Sequence, residues 1–140
     1  MPLTPPPIGQ PWPTQGGTYA GIARGQAGGP DQHLILSPSS PSERLQWQAA
    51  TDWAAALRDG NHADWSLPAR DESALLYANL RELFASSWHW TGTQYSRYDA
   101  WYQYFSGGGQ VGNDKSYEGH ARAVRRFSVE SFNHSDSKGA

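Results

Sequence analysis

The chain contains no cysteine. Disulfides, cysteine-held metals and thiol nucleophiles are therefore excluded, and packing alone has to hold the core. Neither sign of charge dominates: eleven Lys and Arg against thirteen Asp and Glu leave a formal charge of -2. No basic face rich enough for general nucleic-acid binding exists, so nucleic acid is not an expected partner. No apolar run approaches the ~20 residues of a membrane span, so no membrane insertion is expected. The start, Met1-Pro2-Leu3-Thr4-Pro5-Pro6-Pro7, lacks the basic and apolar stretches of a signal peptide. Apolar residues are themselves scarce, at 37% of the 140 residues.

What is present is aromatic. Seven Trp, seven Tyr and four Phe supply much of the apolar area, and each such ring buries enough surface to anchor a small core. Fifteen Gly and ten Pro imply short strands and many turns rather than a helical bundle. The length suits one domain.

Residues 1–17 carry Pro2, Pro5, Pro6, Pro7, Pro11 and Pro13 and read as an extended N-terminal arm. Trp12 interrupts it, and a Trp there is expected to dock on the domain or on a neighbouring subunit. The folded domain is expected over residues 18–130, and residues 131–140 as a polar tail.

Thr18–Arg24 and His33–Ser37 alternate like strands around a Gly-rich turn and form a hairpin. Ser40-Pro41-Ser42-Glu43 fits a capping box, although the firmer helical spacing starts near Gln46 with Trp47, Ala50, Trp53 or Ala54, and Leu57. Gly60 is expected to end that helix. A second helix is expected from about Asp71 to Phe84, with Leu75, Leu76, Asn79, Leu80, Leu83 and Phe84 inward and Asp71 and Glu72 favoured in its first turn. After Ser87 the pattern turns to aromatic strands: Trp88–Thr91, Ala100–Phe105, a return from Gln110, and His120–Val129. Grouped helices followed by short strands predict an α+β fold with antiparallel sheet. In the clearest strand Trp101, Gln103 and Phe105 share one face, and Tyr102 and Tyr104 the other.

Three blocks carry a family resemblance. Asp64-Trp65-Ser66-Leu67-Pro68-Ala69-Arg70-Asp71-Glu72 resembles a D-W-x-L-P-[ST]-x-x-E signature. Trp88-His89-Trp90-Thr91-Gly92-Thr93 is similar to Y-W-S-S-T. Ala100-Trp101-Tyr102 through Phe105, Gly107 to Lys115 and Arg122-Ala123-Val124-Arg125-Arg126 resemble a closing A-W-x-x-x-F…G…K…R-A-V-R pattern. In this order they resemble the Lcl-type C-terminal domain family, a domain of unknown function similar to C-type-lectin-like and formylglycine-generating-enzyme folds. The resemblance implies a C-type-lectin-like fold of two helices plus short antiparallel strands. Many such members belong to phages or prophages, and some resemble variable proteins of diversity-generating retroelements. It therefore implies a ligand-binding module for receptor recognition or adhesion, in a virion or the cytoplasm of a bacterial host, with a structural tail subunit as the alternative. Ala69 departs from the pattern and loses a capping hydroxyl worth ~1 kcal/mol.

Trp65, Pro68, Trp90 and Trp101 read as framework, the last two as core. The candidate ligand-binding set lies between them: Tyr95, Arg97, Tyr98, Tyr102, Tyr104, Gln110, Asn113, Asp114 and Tyr117. Segments rich in Tyr, Gly, Ser and Asn give rigid amphipathic contact area beside adaptable hydrogen bonding. Tyr102 and Tyr104 equally suit the plain covering of a sheet. Expected partners are a cell-surface glycan or protein receptor, or virion proteins and further copies of the chain engaged through the Pro-rich arm.

No enzyme is expected. The five His residues show no metal-protease spacing, His62 with Asp64 is a weak metal pair, and formylglycine-type chemistry needs cysteine. No G-x-S-x-G elbow occurs, and Glu72 and Glu82 point to different sides of their helix. Metal and cofactor are expected to be none. Arg122, Arg125 and Arg126 are expected in salt bridges rather than on phosphate.

Overall fold

The computed structural model describes residues 4–129. Among the described residues, two antiparallel sheets and two α-helices of more than two turns make the α+β fold that the grouping of elements predicts. The first sheet has the order β1 (Pro11–Trp12), β2 (Gly17–Ala23), β3 (Gln32–Leu36), β7 (Val124–Ser128). The second is β4 (Trp88–Gln94), β5 (Asp99–Tyr104), β6 (Gln110–Asp114). Between them in the chain lie α1 (Trp47–Ala55) and α2 (Arg70–Leu80).

β3 is the centre of the first sheet and is buried on both faces, which is why it reads His33-Leu34-Ile35-Leu36 without polar alternation. The period of two divides its neighbours. Leu34 and Leu36 meet Leu76 and Leu80 of α2, together with Ala20, Phe105 and Val124. Ile35 points the other way, into a core of Trp12, Tyr19, Trp65, Trp90 and the small α1 face of Ala50 and Ala54. Two clusters on opposite sides of one strand let a chain poor in aliphatics fill its interior with rings.

The hairpin of β2 and β3 contains a bulge at Ala20, because the register skips between Tyr19 and Gly21. Gly21 has φ +112, a conformation that suits glycine. A Cβ there would lie 3.1 Å from Nδ2 of Asn79, the group that donates to the Ala20 carbonyl and ties α2 to β2.

α2 starts without a capping hydroxyl at Ala69, as its sequence implies. The Glu72 carboxylate accepts the Ala69 N–H at 2.8 Å instead. Its other contacts go to Arg126 of β7, where Nε and Nη2 donate at 2.6 and 3.0 Å. Arg125 pairs with Asp64 at 2.8 Å. Two of the three clustered arginines are thus ion-paired, as expected.

Several expectations are corrected. Residues 40–43 are not a helix start. Leu45 exchanges both backbone hydrogen bonds with Gly119, at 2.8 and 2.9 Å, and its carbonyl also takes the Trp90 indole N–H, so the chain stays extended until α1. Gly60 does not end α1, which stops at Ala55. Its φ of +63 brings it against Gly16, where a Cβ would lie 2.4 Å from the Gly16 Cα. α2 ends at Leu80, and a 3-10 turn over Arg81–Leu83 changes the phase. Leu83 is consequently turned out, while Phe84 stacks on Phe105 with centroids 4.0 Å apart. The Pro-rich segment is no free tether either. Gly9 donates to Tyr19 O, Tyr19 donates to Gln10 O, and β1 edges the sheet. Trp12, within it, is buried in the core, so docking on the domain is what occurs. The expected final strand begins at Val124, later than His120. The tail at 131–140 lies outside the described residues, as do Met1, Pro2, Leu3 and His134.

Candidate functional site

β5 pairs with β6 in the register Asp99↔Asp114, Trp101↔Gly112, Gln103↔Gln110. Because partners across a ladder share a face, these six residues form one stripe. α2 and Phe84 cover its Gln103–Phe105 end, and the Asp99–Trp101 end is open. This reverses part of the expectation for the strand. Trp101 is half-buried at the surface rather than in the core, whereas Tyr102, opposite Trp90, faces the aromatic core and is only 8% exposed. Trp90 settles which face turns inward, since its fully buried indole sits directly across from Tyr102. The Tyr102 hydroxyl donates to Tyr104 at 3.3 Å. Burial, then that hydrogen bond and the charge of its neighbour, push the Tyr102 phenol up to about 12.

The open end is an aromatic groove of about 600 Å³. Its lining is Tyr95, Asp99, Trp101, Gln110, Val111, Gly112, Asn113 and Asp114. Tyr95 leans edge-on against Trp101, centroids 4.9 Å apart, and lies over Gly112, where a Cβ would come within 3.0 Å of its ring. The glycine is what lets a ring lie on the sheet. On the other side Arg70 places its guanidinium carbon 3.5 Å from the Trp101 centroid. Arg70 Nε donates to Gln110 Oε1 at 3.0 Å, and Gln110 Nε2 donates back to the Arg70 carbonyl at 2.8 Å and to Gln103 Oε1 at 2.7 Å. Gln110 therefore braces the wall as well as lining it.

The tight loop from β4 to β5 raises the tyrosines. Ser96 Oγ accepts from Tyr98 N and Asp99 N and donates to Asp99 Oδ2 at 3.1 Å. This cross-braced turn leaves Tyr95 57% and Tyr98 66% exposed. Tyr98 lines an adjoining depression with Arg97, Lys115 and Asp114, so Asp114 borders both hollows. Lys115 is fixed by bonds to Gln94 Oε1 and the Arg97 carbonyl, with its ammonium 4.6 Å from the Trp47 ring centre.

Asp99 and Asp114 face each other across the ladder, an arrangement that costs stability when both are charged. The Ser116 hydroxyl, then its N–H, donate to Asp114 and hold that carboxyl below the usual range. The groove thus offers an aromatic wall, two carboxylates and two amides. That set stacks against an apolar ring face and accepts hydrogen bonds from hydroxyl or ammonium groups.

Of the expected set, Tyr95, Gln110, Asn113 and Asp114 come together in the groove, with Arg97 and Tyr98 beside it. Tyr117 is exposed on the loop after β6, and Tyr104 stands at the far end of β5. Tyr102 is the member turned away from solvent. The sequence reading missed Asp99, Trp101, Val111, Gly112 and Arg70. Pairing the strands across the Ser106–Gly109 turn could have supplied the first four, but Arg70 comes from α2 and has no local signal.

A second hollow, of about 580 Å³, lies among Arg24, Gln26, Trp47, Asp71 and Arg126. Its most buried ionic groups, Glu72 and Arg126, are satisfied by each other. His62 and Asp64 have separate partners: the His62 ring bonds Thr14 O and Asp64 bonds Arg125. Among the described residues no group of three metal-ligating side chains occurs, and no helix is long and apolar enough to cross a membrane.

The fold and groove define an α+β domain with an aromatic groove on its smaller sheet. No protein-family model matches the sequence, and no curated protein matches it.

Proposed function

We propose that this chain is a ligand-binding module of the C-type-lectin-like class, of the Lcl-type family and of phage or prophage origin, that recognises a cell-surface receptor through the β5–β6 groove. The observation that carries the reading is the groove itself, where the exposed Tyr95 leans on the half-buried Trp101 beside Asp99, Asn113 and Asp114, with the exposed Tyr98 on the adjoining loop. Exposed apolar surface concentrated beside convergent polar groups is the usual mark of a binding site. The two helices followed by short antiparallel strands are the arrangement that the family resemblance implies. A glycan suits the concave part best: Tyr95 offers a ring face, and Asp99, Asn113 and Asp114 offer acceptors for hydroxyls.

A second reading is a structural virion subunit with a protein partner. It is favoured by Tyr98, Tyr104 and Tyr117 lying outside the groove, as a broad contact would use them. The purified chain on a glycan array, beside its Tyr95→Ala/Tyr98→Ala form, separates the two. Retention of specific glycans by the native chain, weakened about tenfold or more in the double variant, supports receptor binding. No glycan retained by the native chain removes the glycan ligand, and equal retention by both forms removes the groove.

A further inference from the structure

The three arginines of the last strand and its approach have unequal partners. Arg125 has Asp64 and Arg126 has Glu72. Arg122 is half-buried and has no carboxylate within ion-pair distance among the described residues. Its Nη1 donates to the Leu83 carbonyl at 2.6 Å and its Nη2 to the Ser37 carbonyl at 2.9 Å. Its Nε is buried without a hydrogen-bond partner, and its guanidinium carbon is 4.9 Å from the centre of the Phe84 ring. A guanidinium carries five N–H donors. Two neutral carbonyls satisfy some of them but leave the charge uncompensated, which is costly away from water.

Arg122 lines a cavity of about 180 Å³ together with His89, His120, Glu43 and Ser40. At ~30 Å³ per water that is room for roughly six waters, or for one phosphate-sized ion with a few of them. The two imidazoles stack, 5.1 Å between centroids, where a parallel bridge joins the strand carrying His89 to the approach to β7. His89 Nδ1 is committed as donor to the Ser87 carbonyl at 3.3 Å. The His120 ring makes no hydrogen bond among the described residues, so on protonation it brings a new donor to the cavity.

We infer that this cavity is a binding site for a small oxyanion, held by Arg122 and His120 against the His89 ring. The occupant supplies the negative charge that Arg122 lacks, and its oxygens accept from the Arg122 N–H hydrogens not spent on Leu83 and Ser37 and from the His120 ring. The site is separate from the aromatic groove and does not depend on what that groove binds.

The charges facing His120 are those of His89, Arg122, Arg44 and Glu43. Burial, then the charge of Arg44, hold His120 below the usual imidazole range. Burial, then the charges of His120 and Arg122, do the same to His89. An anion reverses the electrostatic part of this, so its binding takes up a proton and strengthens as pH falls. Glu43 acts against the anion.

The test is a titration of the intact chain with inorganic sulfate, a tetrahedral oxyanion whose own charge is constant across the neutral pH range, followed by calorimetry and by the His ring signals in NMR. Sulfate is expected to shift the His120 and His89 signals, with affinity severalfold weaker at about pH 8 than at about pH 6. Acetate in a separate arm tells a planar carboxylate from a tetrahedral ion; displacement of the same signals by either supports the site. His120→Gln should remove most of the pH dependence. Arg122→Met should abolish binding, and because it also frees the Leu83 and Ser37 carbonyls its folding is checked separately. Glu43→Gln, an exposed position, should tighten binding severalfold, an effect that a purely structural Arg122 does not produce. No displacement of the His signals by either anion at tens of millimolar overturns the inference. So does binding indifferent to both His120→Gln and Glu43→Gln.

Discussion

The Arg70 guanidinium carbon sits 3.5 Å from the centre of the Trp101 indole while its Nε donates to Gln110 at 3.0 Å. One side chain thus covers the ring and braces the neighbouring strand. Exposed cation–π pairs contribute about 0.5–1 kcal/mol, so Arg70→Ala should destabilise the fold by about that much in a urea titration. It should also shift Trp emission to longer wavelength, and the shift should vanish in a Trp101→Phe background. Arg70→Lys should rescue only part of the loss, because an ammonium lacks the planar surface and fixed fork of a guanidinium. An emission change that persists without Trp101 would show that Arg70 covers another ring.

Tyr98 and Tyr102 carry the same side chain four residues apart and should behave as opposites. Tyr98 is 66% exposed and Tyr102 8%. Tyr98→Ala should change stability by no more than about 0.5 kcal/mol, whereas Tyr102→Ala should cost about 3–5 kcal/mol through the cavity it leaves beside Trp88 and Trp90. Chemical denaturation of the two single variants decides it. A mild Tyr102→Ala would mean that the smaller sheet has the other face inward.

Glu72 is shared between the start of α2 and Arg126 of the first sheet. Glu72→Ala strands both the Ala69 N–H and a partly buried guanidinium. Removing one member of a fully buried pair costs 3–5 kcal/mol, and because Arg126 keeps 28% of its side chain exposed the loss here should be about 2–4. Replacing both by leucine should cost less than the two single changes summed, since neither charge is then orphaned. Additivity in that double-mutant cycle would remove the pair as the link between α2 and the sheet.

The elements legible in the sequence were those with a period. The β2–β3 hairpin, the small face of α1, the leucines of α2 and the alternation along β5 all follow from local spacing. The misread points are those where distant backbone decides. Leu45 is extended because Gly119 and the Trp90 indole occupy its hydrogen-bonding groups. Gly60 serves contact with Gly16, not a helix end. Alternation divides β5 into Trp101 and Tyr102 faces but carries no information on which face lies across from Trp90, and it is Trp101, not Tyr102, that reaches the surface. The candidate site was half legible for the same reason: Tyr95, Tyr98 and Asp114 announce themselves by composition, while Asp99 and Arg70 enter through strand register and helix packing.

His89 makes stability depend on pH with a definite sign. Burial first, then the charge of His120, lower its pKa from 6.5 to about 3 in the fold. The unfolded chain therefore takes up a proton between about pH 6.5 and pH 3 that the folded chain refuses, and stability falls as pH falls through that window, by up to about 1.4 kcal/mol per pH unit for this group. His33 and His120, also held low by burial, add to the upper part of the same window. Unfolding free energies from urea titrations, in a buffer free of phosphate so that no anion stabilises the fold, should be flat above about pH 7 and decline from about pH 6.5 to pH 5, where carboxylates remain ionised. His89→Gln should lower stability throughout, because the ring packs against Phe84 and Phe105, yet flatten the decline. An equal slope in that variant would assign the acid sensitivity to His33 and His120, and stability rising toward pH 5 would mean that His89 is protonated in the fold.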